Sequence, residues 1–435
     1  MAEAPTGVAQ HTGSDKAGIR PFQISFPEAA LTDLRKRINA TKWPEPETVK
    51  DASQGVQFAT MQKLARYWGN EYDWSKCEAR LKAVPHFITE IDGLDIHFIH
   101  VRSKHENALP LIVTHGWPGS FIEQMKIIDP LTNPTAHGGT ASDAFHVVIP
   151  SLPGYGFSGK PTTTNDWDPP HIASAWAVLM KRLEYTKYVA QGAIGGTPSP
   201  RSWRFRSRRG CSASPPTWRR PFPPRLARQW RQAVRLSSLS ADERRAWDQL
   251  IFFYTKGLAY ANEMGLRPQT LYGIADSPVG LAAWILDHDA ASYELIVRVF
   301  DGKPEGLTRD DILDNITLYW LTNTAISSAR LYWTTASRSK GAVSSTPRRS
   351  TPGDRERLSK RNLHGPEELV GARLPKLLLY SKHEKGSHFA AWEQPAAIVA
   401  DLRTRGSRRF VDQLSARTEE STMSMDAGRS RPRPC

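Results

Sequence analysis

LIVTHGWPGS, residues Leu111–Ser120, opens with three consecutive aliphatic residues and then turns sharply through glycine and proline. A short apolar run without polar alternation is the pattern of a strand buried on both faces, as in a parallel sheet. Three more runs read the same way: HVVIPS (His146–Ser151), YVAQG (Tyr188–Gly192) and KLLLYS (Lys376–Ser381). Helical stretches such as IASAWAVLMKRLEY (Ile172–Tyr185) lie between them. This alternation predicts a doubly wound α/β core.

Upstream, PFQISFPEAALTDLRKRINATKWPEPE (Pro21–Glu47) begins extended, and Ala30, Leu31, Leu34 and Ile38 then mark one face of a helix that Trp43-Pro44 ends. Phe58, Met61, Leu64 and Trp68 trace a second helix. FITEIDGLDIHFIHV (Phe87–Val101) predicts two strands joined by a tight turn at Asp92-Gly93. Downstream, residues 241–333 are helical and aromatic-rich and interrupt the α/β rhythm, which predicts a helical cap over the sheet edge. The expected organisation is an N-terminal helical and strand extension over 1–105, a first half-core over 106–240, the cap over 241–333 and a second half-core over 334–435.

At 435 residues and 39% hydrophobic content the chain has ample material for a core. It has no run of about 18 apolar residues, and its start is polar, so neither a membrane anchor nor a secretion signal is expected. Cys77, Cys211 and Cys435 are scattered and fit neither a metal site nor a disulfide framework, which makes a reducing cytoplasm the expected setting. The net charge is +14, but eleven arginines and no lysine or acid lie between Tyr188 and Ala241. Outside that stretch the net charge is +3, so no nucleic-acid partner is expected.

Three motifs sit where such a core places chemistry. HGWPGS (His115–Ser120) follows a buried strand, where a turn can aim the Trp117 backbone N–H at a developing oxyanion while Pro118 stiffens it and His115 and Gly116 flank it. It is equally compatible with an ordinary strand-end turn. SLPGYGFSG (Ser151–Gly159) follows the next strand with three glycines, as a tight loop facing an active site or simply as a glycine-rich loop. KGSHFAAWEQP (Lys385–Pro395) sets His388 after the last strand, which suits a general base, although a lone histidine is often structural.

In this order, and with the intervening helical segment, the motifs resemble the microsomal-type epoxide hydrolases, α/β-hydrolases that carry an epoxide hydrolase N-terminal domain. PFQISFPEAALTDLRKRI, TKWPEP and FITEIDGLDIHFIHVRS resemble that domain, and RPQTLYGIADSPVGLAAWILDHD (Arg267–Asp289) resembles its cap. The likeness spans 22–192, 238–333 and 374–396. It implies hydrolysis of a small apolar epoxide by water through a covalent ester, with no cofactor and no metal. It also implies that Tyr260 and Tyr332, otherwise readable as core aromatics, donate the proton to the opening epoxide, and that His388 activates water. A homodimer is compatible with this reading.

The same resemblance exposes a gap. The family carries its nucleophilic aspartate in a Gly-Gly-Asp-Trp-Gly elbow after YVAQ, whereas this chain has Gly192-Ala193-Ile194-Gly195-Gly196. Ala193 and Ile194 stand where the nucleophile belongs, and neither can attack carbon. The codons GCN-ATH-GGN-GGN for Ala-Ile-Gly-Gly, read one base earlier, can spell GGC-GAT-TGG-GGG, or Gly-Asp-Trp-Gly. A frameshift from about 193 to 237 is therefore expected, and the family pattern returns at LSADERRAWDQL. A second stretch rich in Arg, Ser and Pro, 334–361, covers the expected position of the acid that pairs with His388; Asp354, beside Glu356, is the candidate there. The tail after about Arg403 has the same character. The alternatives are a related esterase or dehalogenase, or a non-catalytic protein whose Arg-rich segment binds nucleic acid.

Overall fold

The computed structural model describes residues 16–163, 167–192, 244, 248, 257–288, 290–303, 305–341, 383 and 385–406. Six strands form one mixed sheet in the order β1-β2-β3-β5-β4-β6. They are β1 (Arg20–Pro21), β2 (His86–Ile91), β3 (Leu94–Val101), β4 (Leu109–Thr114), β5 (Phe145–Pro150) and β6 (Val189–Gly192). β4 runs parallel to β5 and β6, and the first three strands extend the sheet antiparallel through β3 and β5. The strands foreseen at Leu111, His146 and Tyr188 are therefore β4, β5 and β6, and KLLLYS lies outside the described residues. The boundary expected at residue 105 falls between β3 and β4, inside one continuous sheet.

Local chemistry explains the extension. The β2–β3 turn places Asp92 and Gly93 at positive φ (51° and 77°), the backbone of a tight hairpin that matches strand twist. Helices α1 (Glu28–Asn39) and α2 (Phe58–Asn70) follow the expected apolar spacing and bury Leu34, Ile38, Met61, Leu64 and Trp68. A third helix, α3 (Trp74–Lys82), was not expected from apolar spacing; the Asp73 side chain caps it by accepting from the Ser75 N–H at 3.0 Å. After β4 come α4 (Met125–Thr132) and α5 (Pro169–Arg182), and the Trp176 indole of α5 donates to Thr114 Oγ1 at the end of β4, 3.1 Å away. That bond ties the helix to the end of β4.

Among the described residues the cap includes α6 (Ala259–Leu266), α7 (Pro278–Leu286), α8 (Ala290–Phe300), α9 (Arg309–Leu321) and α10 (Ala325–Gly341). α10 continues to Gly341, beyond Trp333, where the regular sequence pattern was expected to stop. A last helix, α11 (Pro395–Gly406), follows the His388 loop. None of the described helices is long and apolar enough to cross a membrane.

α9 is buried along every residue from Ile312 to Tyr319, so its polar members must find partners inside the protein. Thr317 accepts from the Trp68 indole at 2.9 Å, and Asp314 accepts from the Tyr72 hydroxyl at 2.8 Å and pairs with Arg80. Burial pushes Asp314 up to about 6 despite the opposing charge of Arg80. These bonds fasten the cap to α2 and α3.

A buried histidine chain fastens the extension to the core. His86 Nε2 lies 2.8 Å from the Leu81 carbonyl, His86 Nδ1 lies 2.9 Å from His97 Nε2, and His97 Nδ1 lies 2.9 Å from Ser151 Oγ. A carbonyl can only accept, so His86 carries its proton on Nε2; its Nδ1 then accepts from His97, whose Nδ1 accepts from Ser151. Every site in this chain is satisfied by two neutral rings.

Candidate active site

β4 delivers the HGWPGS turn into the space between the sheet and the cap. The Gly119 N–H closes the turn on the Gly116 carbonyl at 2.8 Å, and the Trp117–Pro118 peptide is cis. A Cβ at Gly119 would sit 1.8 Å from the Glu123 carboxylate, so any larger residue there requires that side chain to move. Two carbonyls of the turn would be buried without donors but for α9: Asn315 Nδ2 donates to the Pro118 carbonyl at 2.9 Å, and the Tyr319 hydroxyl donates to the Gly119 carbonyl at 2.8 Å. Asn315→Ala is expected to destabilise the protein by about 1–3 kcal/mol, since it leaves the Pro118 carbonyl buried and unsatisfied. A thermal melt measures this, and an unchanged midpoint would remove Asn315 from that role.

His115 points into the second loop. The Leu152 N–H donates to its Nε2 at 3.1 Å, and its ring meets Tyr155 edge-on at 5.4 Å. Complete burial lowers it to about 4, so it is neutral and braces the two loops against each other. SLPGYGFSG is in turn stitched to the start of α10, where Ser327 Oγ donates to the Gly154 carbonyl at 2.6 Å and the Tyr155 hydroxyl donates to the Ser328 carbonyl at 3.1 Å. Gly154 has φ +82°, and a Cβ there would come within 2.9 Å of the Ser327 carbonyl oxygen, so only glycine allows this approach.

The Trp117 side chain is the hub of the site. Its indole stacks on Tyr260 of α6, with centroids 4.6 Å apart and planes 16° apart, and meets Tyr332 of α10 edge-on at 6.1 Å. The two tyrosine rings are 5.9 Å apart. Burial, and next the neighbouring Tyr260, hold the Tyr332 phenol well above its usual range. Its hydroxyl is buried. A phenol in that state stays protonated and gives up its proton only to a strong base such as an alkoxide.

His388 joins this group through a residue the motifs did not single out. His288, just after α7, lies 4.9 Å from Tyr260 and 5.5 Å from Trp117, and its ring meets that of His388 at 3.9 Å and 67°. Both histidines are buried. A cavity of about 20 Å³ adjoins His288, bounded also by Ile285, Ser292, Asn315, Phe389 and Glu393. The structure thus gathers Trp117, Tyr260, Tyr332 and His388, with Gly116 and Pro118 in the turn beneath, while His115 serves the loop behind. Asp354, Ala193 and Ile194 lie outside the described residues. His288, Asn315, Tyr319 and Glu393 were not picked out from the sequence; the only signal was the i, i+4 spacing of Asn315 and Tyr319, which puts both on one helical face. Among the described residues no group of three or more His, Cys, Asp or Glu side chains is arranged to hold a metal ion.

Residues 19–124 match the family described as Epoxide hydrolase N terminus. A candidate epoxide hydrolase of Stigmatella aurantiaca is 46% identical over 390 residues, covering 89% of this chain and 84% of that protein. Epoxide hydrolase 1 of Sus scrofa is 32% identical over 416 residues, covering 90% and 89%. Among solved structures, the epoxide hydrolase of Aspergillus niger superposes with a TM-score of 0.67 at 27% identity, covering 92% of this chain and 97% of that one. The matched N-terminal segment, the shared α/β-hydrolase fold and identity at this level over most of the length lead to one conclusion: the chain belongs to the epoxide hydrolase family.

Proposed function

We propose that this chain is built for hydrolysis of small apolar epoxides through a covalent ester, and that the sequence as it stands lacks the nucleophile for the first step. The observation that carries the reading is the packing of Tyr260 and Tyr332 around Trp117, with His388 reached through His288. In the reaction, an aspartate carboxylate attacks one epoxide carbon. The carbon–oxygen bond breaks, and the oxygen takes a proton from Tyr260 or Tyr332. His388 then removes a proton from water, the hydroxide adds to the ester carbonyl, and the Trp117 N–H stabilises the oxyanion before the glycol leaves. Asp354 is the proposed acid partner of His388. The aromatic walls from Trp117, Tyr260, Tyr332 and Phe389 suit an apolar substrate.

Ala193 and Ile194 occupy the nucleophile position, which is the reason for proposing inactivity. The reading includes a cytoplasmic location, no cofactor and no nucleic-acid partner; a homodimer is compatible with it. The test is to sequence genomic DNA and transcript over codons 185–240 and 334–375, and to assay glycol formation by both the present and the frame-restored protein. A base that restores Gly-Asp-Trp-Gly, with turnover in the restored protein alone, is the expected result. Turnover by the present chain would overturn the inactivity, and an inert restored protein would overturn the proposed roles.

A further inference from the structure

Glu393 closes the short helical turn Ala390–Glu393 and is 4% exposed. Its Oε2 accepts from the Ser387 N–H at 2.7 Å, and its Oε1 accepts from the Phe389 N–H at 3.2 Å and from the Ser387 hydroxyl. Both chain neighbours of His388 are therefore bonded to one carboxylate. Ser387 Oγ also lies 2.8 Å from Ser292 Oγ on α8, so the same loop is attached to the cap.

A carboxylate this deep is unfavourable unless donors replace its water, and the donors here come from the backbone of the loop itself. The arrangement holds both chain neighbours of His388 at fixed positions, and it sets a negative charge in the loop that carries the imidazole. A nearby negative charge favours the imidazolium that forms when the ring takes a proton from water.

We propose that Glu393 is a positioning residue for His388: it fixes the loop that presents the imidazole and stabilises that ring when it is protonated. The proposal rests on the reading of His388 as the water-activating base. The resemblance implies a separate acid partner for His388, with Asp354 the candidate, and Glu393 acts in addition to it through the backbone, five residues along the same loop. The titratable groups known to face this region are His288, in ring contact from the cap, with Tyr260 behind it, and Glu393 from the loop.

The test is an NMR titration of the His388 imidazole nitrogens in the full-length chain labelled with ¹⁵N-histidine, compared with Glu393→Gln, Glu393→Asp and Ser387→Ala. Glu393→Gln keeps an acceptor and removes the charge, and it is expected to lower the His388 midpoint by about one pH unit, the scale of a single partly buried charge at short range. Ser387→Ala keeps the carboxylate and both backbone donors, and is expected to leave the midpoint in place. Glu393→Asp keeps the charge and withdraws it by one methylene, so a smaller downward shift is expected. A midpoint unmoved in Glu393→Gln overturns the proposal. Should that variant not fold, an unmoved midpoint in Glu393→Asp overturns it instead. The readout is a titration and not turnover, so this failure leaves the hydrolysis reading intact.

Discussion

Protein of the present sequence, incubated with an aryl epoxide, is expected to form glycol at the uncatalysed rate, while the chain with its frame restored between residues 193 and 237 is expected to be faster by about 10⁴-fold or more. The size of the difference follows from the chemistry. Tyr260 and Tyr332 can polarise an epoxide oxygen, and His388 can accept a proton, but the ester route begins with a carboxylate lone pair. The methyl of Ala193 and the alkyl chain of Ile194 offer none. Losing a covalent nucleophile abolishes a pathway, whereas losing one hydrogen-bond donor only slows it. Chromatographic separation of glycol from epoxide gives both rates in one experiment. In the restored chain, His388→Gln is expected to stall at the ester, seen as protein mass increased by one substrate. Equal rates for the present and restored chains would sink the first expectation, and absence of the trapped ester would sink the second.

Acid is expected to unfold the protein through its buried histidines. The His86–His97–Ser151 chain favours neutral rings, because a proton added to His86 Nδ1 would face the His97 Nε2–H at 2.9 Å, and a proton added to His97 would place a charge in a fully buried site. Burial lowers His86 to about 4 and His115 to about 4, and His97 lies well below its usual value. Unfolded histidine titrates near 6.5, so between about 6.5 and 4 the unfolded chain binds protons that the folded one refuses. The stabilisation is complete above about 6.5 and is lost as pH falls toward 4. A shift of this size corresponds to about 3 kcal/mol for His86 alone. Asp314 works in the opposite direction: raised to about 6, it binds its proton more readily in the folded chain and gains stability as pH falls below that value. It offsets roughly one of the three histidines, and the net loss is a large share of the ~5–15 kcal/mol typical of a folded protein. Urea unfolding at pH 7.5 and pH 4.5 measures this. A midpoint equal at the two values would show that the chain admits protonated histidine.

Much of the architecture was legible because it depends on local patterns. β4, β5 and β6 announce themselves as uninterrupted aliphatic runs, and the Asp92-Gly93 turn needs positive φ at two adjacent positions, which few residue pairs tolerate. α1 and α2 show the helical spacing of their buried faces. α3 escaped because its buried residues, Trp74, Cys77 and Leu81, are few, and its start depends on a single Asp73 cap. The motif loops were equally legible, since glycine and proline after a buried strand mark a tight turn, and at Gly154 the backbone closely approaches backbone.

By itself, then, the sequence determined the strand segments, the hairpin and the glycine- and proline-bearing loops that follow the strands. These are properties of neighbouring residues, and covalent order is enough to read them. Only the tertiary structure decided that His115 braces a loop, that α9 supplies the donors for Pro118 and Gly119, and that His288 and Glu393 flank His388. Asn315 meets Pro118 across 197 residues and Tyr319 meets Gly119 across 200. Such pairings leave no local signature, because a buried carbonyl accepts from whichever donor the packing brings to it.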